Sequence, residues 1–181
     1  MTTEPRPATV RRGRALSALF LLFTLVLIGC ATQGPPIRSY LLQNGRQYFV
    51  RPVRLRGDHG TVLMDFTVRI TEDAEGDRSR SVSANFTAPL VDGSREIESP
   101  RFSVLSGETL PLRELRFLFV GDGTVRYESS MEYEEFARLV KESSGEEKLI
   151  LLELRRNGVV ERYRARGEFY EAMKQLELRL E

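Results

Sequence analysis

One cysteine, one histidine, little net charge and no apolar run of about 20 residues are what this 181-residue chain offers. Each scarcity excludes something. A single cysteine, Cys30, rules out disulfides inside a folded domain. A single histidine, His59, leaves too few nitrogen and sulfur ligands for a zinc site. The longest apolar run, Ala15 to Ile28, is about 14 residues, short of the roughly 20 that span a bilayer as a helix. A formal net charge of +1 gives no basic footprint for nucleic acid.

What is present begins with Arg6, Arg11, Arg12 and Arg14 against one acid, Glu4, followed by the uncharged run Ala15–Ile28. A basic region leading into about 7 to 15 apolar residues is the layout of a secretory signal peptide. Arg11-Arg12 is followed by Gly13-Arg14-Ala15, which lacks the residues of a twin-arginine signal, so the general secretory route is expected.

The run ends in Leu27-Ile28-Gly29-Cys30, which resembles the lipobox of bacterial lipoproteins. The resemblance implies that residues 1–29 are removed, that the Cys30 thiol carries diacylglycerol and that its freed amine is acylated. Each buried methylene contributes about 0.8 kcal/mol, so two or more chains make a stable anchor. Ala31 after the cysteine, where aspartate retains such proteins in the inner membrane of enteric bacteria, implies the outer membrane. Removing four arginines and one glutamate from 27 basic and 26 acidic residues leaves 23 and 25, a mature net charge of −2.

Residues 30–46 are rich in Gly, Pro and polar side chains and read as a lipidated flexible tether with a reach on the order of 50 Å, leaving 47–181 as one globular domain. Inside it, Val62, Met64, Phe66, Val68 and Ile70 alternate with polar residues, as do Val82, Ala84, Phe86, Ala88 and Leu90. Period two is the mark of half-buried strands, here joined by the acidic loop 71–78. A strand over 47–55 contains Pro52, which removes a ladder donor and points to a sheet edge. Further strands are expected near 101–105, 115–120 and 124–128, beside the turns Asp92-Gly93 and Gly121-Asp122-Gly123.

Beyond Ser129 the period lengthens: Tyr133, Phe136, Ala137 and Val140 recur at helical spacing before Gly145. The dense run 148–155 then meets Asn157-Gly158, the strongest hairpin signal in the chain. A turn on that pair sets Glu153 opposite Arg162, Leu152 opposite Tyr163 and Ile150 opposite Ala165. Phe169, Ala172, Met173, Leu176 and Leu180 make an apolar stripe on a final helix, although Leu176, Leu178 and Leu180 also alternate as in a strand. The stretch 133–164 is similar to the closing third of a PDZ domain. The carboxylate-binding loop of that family is missing, so peptide binding does not follow.

The expected architecture is α+β or mostly β, a sandwich-like antiparallel sheet with one or two C-terminal helices. Among candidate sites, His59 between Gly57 and Gly60 reads as a surface turn, because no serine elbow or cysteine nucleophile accompanies it. The loop Glu72-Asp73-Ala74-Glu75-Gly76-Asp77 has alternating acids, but its glycine and closing acid do not fall where a calcium loop needs them. Two arginine sets, Arg51, Arg54, Arg56 and Arg162, Arg164, Arg166, offer charge to an anionic envelope polymer or lipid headgroups, with solvation and cross-strand pairing as the plainer role. The sequence thus leads to a lipid-anchored envelope protein with a non-catalytic binding or scaffolding domain. Its partners are the membrane, through the lipid on Cys30, and another envelope protein or an anionic polymer. No cofactor or metal is expected. A carrier of an apolar ligand is the alternative, and an enzyme a more distant one.

Overall fold

A computed structural model describes residues 35–91 and 93–180. Residues 1–29, read as a signal peptide, and Cys30 lie outside the described residues. Among the described residues ten strands and two helices follow in the order β1 Ile37–Leu42, β2 Gly45–Gly57, β3 Gly60–Glu72, β4 Arg78–Pro89, β5 Glu98–Val104, β6 Thr109–Pro111, β7 Arg113–Gly121, β8 Thr124–Met131, α1 Tyr133–Ser144, β9 Ile150–Arg156, β10 Val159–Ala165 and α2 Gly167–Leu180. The fold is mostly β, antiparallel, with the second helix closing the chain.

All ten strands belong to one sheet, ordered β6-β5-β9-β10-β2-β3-β4-β8-β7, with β1 beside the first half of β2. The sheet curls until it nearly closes. Its two ends are one stretch of chain: β6 pairs with β5, and after Leu112, whose N–H donates to Pro100 O at 2.9 Å, β7 pairs with β8. Curling turns one face of the long strands inward. On β3 this face carries Val62, Met64, Phe66 and Val68, on β4 Val82, Ala84, Phe86 and Ala88, all buried. The two helices pack on each other and against the sheet. Phe66 meets Phe136 of α1 at 5.4 Å between ring centroids and Phe169 of α2 at 6.3 Å. Full burial of one such ring is worth about 1.5–3 kcal/mol. Among the described residues every core side chain lies between Ile37 and Leu176. The segment from Pro36 onward is a compact unit with its own core, the anatomy of a domain that can in principle fold alone.

Three details depart from what the sequence suggested. Residues 37–42, assigned to the tether, form β1, an antiparallel hairpin with β2 in which Ile37 is buried opposite Val50. Pro52 is not on an edge: β2 lies inside the sheet, and the proline falls in a register shift between Val50 and Val53 where no ladder donor is required. The buried stripe of α1 is Phe136, Leu139, Val140 and Ser143, with Ala137 exposed. The expected sandwich-like antiparallel sheet with C-terminal helical additions is present, as one curled, nearly closed sheet with two helices. The final helix is a helix, burying Phe169, Ala172, Met173 and Leu176.

Candidate functional site

The junction of β10 with β2 depends on a glycine. Tyr163 stands opposite Gly57, Arg164 opposite Arg56 and Ala165 opposite Leu55. A Cβ on Gly57 would come within 2.3 Å of the Arg162 carbonyl oxygen, so only glycine permits this approach. Alternation then buries Leu55, Tyr163 and Ala165 and turns Arg54, Arg56, Arg162, Arg164 and Arg166 outward. The two arginine sets, about a hundred residues apart in the chain, become neighbours on one outer face.

Their pairing is uneven. Glu153 on β9 lies between Arg162 of β10 and Arg101 of β5, accepting from Nε of each at 3.0 and 2.9 Å. Burial alone would raise the Glu153 pKa, but the hydrogen bonds and charges of Arg162 and Arg101 outweigh it and hold the carboxylate below its ordinary value. Arg54 reaches Glu168 at 3.6 Å, an exposed contact that contributes little. Arg56, Arg164 and Arg166 have no carboxylate partner among the described residues. Arg164 directly opposite Arg56 is a like-charge cross-strand pair, which weakens a ladder.

Beside this pair an open depression of about 550 Å³ is lined by Arg54, Arg56, Arg166, Gly167 and Glu168. Its floor includes the first turn of α2, where the N–H groups of Phe169 and Tyr170 are already taken by the Arg166 carbonyl. Planar guanidinium forks suit phosphate and carboxylate oxygens, and the arrangement presents charge and donors rather than a nucleophile and base.

Other sequence candidates fall elsewhere. Arg51 is half-buried at the β2 irregularity, where its N–H donates to Pro36 O at 2.9 Å. His59 is exposed in the β2–β3 turn. In the acidic loop, Asp73 Oδ1 accepts the N–H groups of Glu75 and Asp77 at 3.1 and 2.8 Å, and Glu72 pairs with Arg78. Those acids shape the hairpin tip. Among the described residues no group of three or more His, Cys, Asp and Glu side chains could hold a metal ion, and no helix is long and apolar enough to cross a membrane. The space between sheet and helices is filled by the rings of Phe66, Phe102, Phe136 and Phe169.

Sequence reasoning missed two features. Arg156 and Glu161 are buried inside the curl, where the Tyr163 hydroxyl donates to Glu161 Oε2 at 2.7 Å. Burial first, then that hydrogen bond and the Glu161 charge, push the Tyr163 pKa far up against the opposing effect of Arg156. Parity carried the signal: Arg156 continues Ile150, Leu152 and Leu154, and Glu161 precedes Tyr163 and Ala165, on the inward face. The second feature is the apolar edge of β7. No protein-family model, curated protein or solved structure matches the chain.

Proposed function

We propose that this chain is a bacterial envelope lipoprotein. On this reading lipid on Cys30 anchors it, and its non-catalytic β domain binds the anionic phosphates of the membrane surface through the arginine face of β10 and β2. The observation that carries the binding role is Arg164 opposite Arg56. A like-charge pair that weakens the ladder becomes favourable when an anion is shared between the two guanidiniums. Each arginine near an anionic surface adds about 1 kcal/mol. The leash supports the choice of a membrane surface over a distant partner. Since β1 starts at Ile37, about seven residues separate it from Cys30, a reach of at most roughly 25 Å.

Two measurements test the reading. Cys30→Ser is expected to leave an uncleaved precursor that takes up no fatty-acid analogue, and labelling that survives would remove the anchor. For the face, residues 36–181 are mixed with sedimentable vesicles of phosphatidylglycerol or of phosphatidylcholine. The domain should pellet with the anionic vesicles alone. Arg56→Gln, Arg164→Gln and Arg166→Gln together should weaken binding by roughly a hundredfold, about three charges at 1 kcal/mol each. Equal binding to neutral vesicles, or an unaffected triple variant, would refute the face.

A further inference from the structure

Strands β1 and β10 lie end to end along one edge of β2, the other edge being held by β3. The chain enters the domain between them, where the Arg51 N–H donates to the Pro36 carbonyl at 2.9 Å. Arg54 and Arg166 stand on the β10 side of that entry, and β1 runs off on the other. Alternation from the buried Ile37 sends Arg38 and Tyr40 to the outer side of β1. Their cross-strand partners are Phe49 and Gln47, and Phe49 lies half-buried on that outer side, since its neighbours Tyr48 and Val50 point into the core. Arg38 is exposed with no carboxylate partner among the described residues, and Tyr40 is 48% exposed. The outer side of β2 is thus the axis of a strip about 30 Å long, from Tyr40 opposite Gln47 to Arg164 opposite Arg56. Arginines run along it, and two aromatic rings sit at one end. Beyond Tyr40 the strip stops at the acidic hairpin tip, where the Glu72 N–H donates to Asn44 O.

We infer that Arg38, Tyr40 and Phe49 are a second set of lipid-contacting side chains, so that the domain lies with the outer side of β1, β2 and the end of β10 flat on the bilayer. The inference rests on the lipid anchor and the arginine face proposed above, and adds the direction in which that face extends. Two arguments make a lipid surface the occupant. The first is the leash. An extended reach of at most roughly 25 Å from Cys30 to β1 is shorter than the domain itself, roughly 40 Å across, so the surface around the entry at Pro36 stays nearest the acyl chains. The second is chemistry. Guanidinium forks suit headgroup phosphates, and a tyrosine with an apolar ring and a wet hydroxyl suits the level just beneath them. The apolar edge of β7 lies four places along the sheet from β2 and takes no part.

The chain contains no tryptophan, so one substitution introduces a single indole reporter. The lipid-anchored protein carrying Tyr40→Trp is purified from membranes and reconstituted in vesicles of phosphatidylglycerol or of phosphatidylcholine, each brominated near the headgroup end of its acyl chains. Indole fluorescence should be quenched in the anionic vesicles and far less in the neutral ones, while Phe119→Trp on β7 should be quenched in neither. Adding Arg38→Gln to Tyr40→Trp should weaken the docked state roughly fivefold, so that less salt releases the quenching. Should Tyr40→Trp fail to fold, Phe49→Trp gives the same readout. No quenching of Tyr40→Trp in the anionic vesicles, or equal quenching of Phe119→Trp, overturns the inference. If the unmodified domain still pellets with anionic vesicles, the arginine face stands and only the contact through β1 falls. If it does not pellet, the face falls, and quenching no stronger in anionic than in neutral vesicles takes this inference with it.

Discussion

Arg156 is 3% exposed at the end of β9. Its Nη1 donates to Pro89 O at 2.6 Å, and its Nε lies 3.7 Å from Glu161 Oε1. Nε and Nη2 make no hydrogen bond among the described residues. Burying a guanidinium and a carboxylate costs several kcal/mol each, offset only while each has the other. Arg156→Ala leaves the buried Glu161 without its counter-charge, with only the Tyr163 hydroxyl donating to it, and the domain is expected to lose about 3–5 kcal/mol in denaturant unfolding. Arg156→Met combined with Glu161→Gln removes both charges while keeping an acceptor for the Tyr163 hydroxyl. The pair of changes should lie much closer to wild type than either alone, and a double variant no more stable than Arg156→Ala would show that the ion pair is not the cause. At this scale the sequence was partly legible. Glu153 and Arg162 were paired correctly from the hairpin alone, whereas Arg101 joined them only through the β5–β9 pairing, which no local pattern announces.

Among the elements, the β9–β10 hairpin was the most readable. Asn157 and Gly158 have φ of 48° and 79°, the left-handed values that a type I′ turn requires, and Glu153 and Leu152 face Arg162 and Tyr163 as the turn dictates. Pairing stops at Leu151 and Arg164, one step short of the expected Ile150 and Ala165, while on the other edge of β10 Ala165 pairs with Leu55 of β2. Nothing lies within 4 Å of a Cβ placed on Gly158, so a substitution there meets backbone strain and no clash. Gly158→Val is expected to cost about 1–3 kcal/mol and lower the melting temperature, while Gly158→Asn, which tolerates positive φ, should cost less. Equal melting of the two would mean that the turn is not under this constraint. The strands β3 and β4 were legible because each has one wet and one dry face. β1 and β6 were not: β1 has four consecutive exposed residues, Arg38 to Leu41, and β6 is three residues long, too short for any period. On β7 the exposure of both faces erases alternation, although the apolar run itself located the strand.

For the whole molecule, curvature matters more than any one pairing. Residues 109–121 run from one end of the sheet to the other, and the ion pair of Arg113 with Glu135, at 2.8 and 2.9 Å, ties the start of β7 to α1. The same curvature sets Arg54 and Arg56 of β2, Arg101 of β5, Arg162 and Arg164 of β10 and Arg166 just beyond it on one outer surface, where Glu153 pairs with Arg101 and Arg162 and Glu168 with Arg54. Vesicle binding through that surface should weaken as salt rises, because exposed charges are screened within about 10 Å at 0.1 M. By itself the sequence determined the class of fold, the inward and outward residues of the long strands, the helices and the Asn157-Gly158 turn. Those properties follow from side-chain alternation, burial of apolar surface and the backbone preferences of single residues, all local. Only the tertiary structure decided which strand lies beside which, that β1 belongs to the domain, that Arg56 meets Arg164 and that Arg156 is buried. Strands bind one another through N–H and C=O groups that are alike at every residue, so no local pattern names the neighbour. That choice falls to the packing of Phe66, Phe102, Phe136 and Phe169 and to the gap that Gly57 leaves for β10.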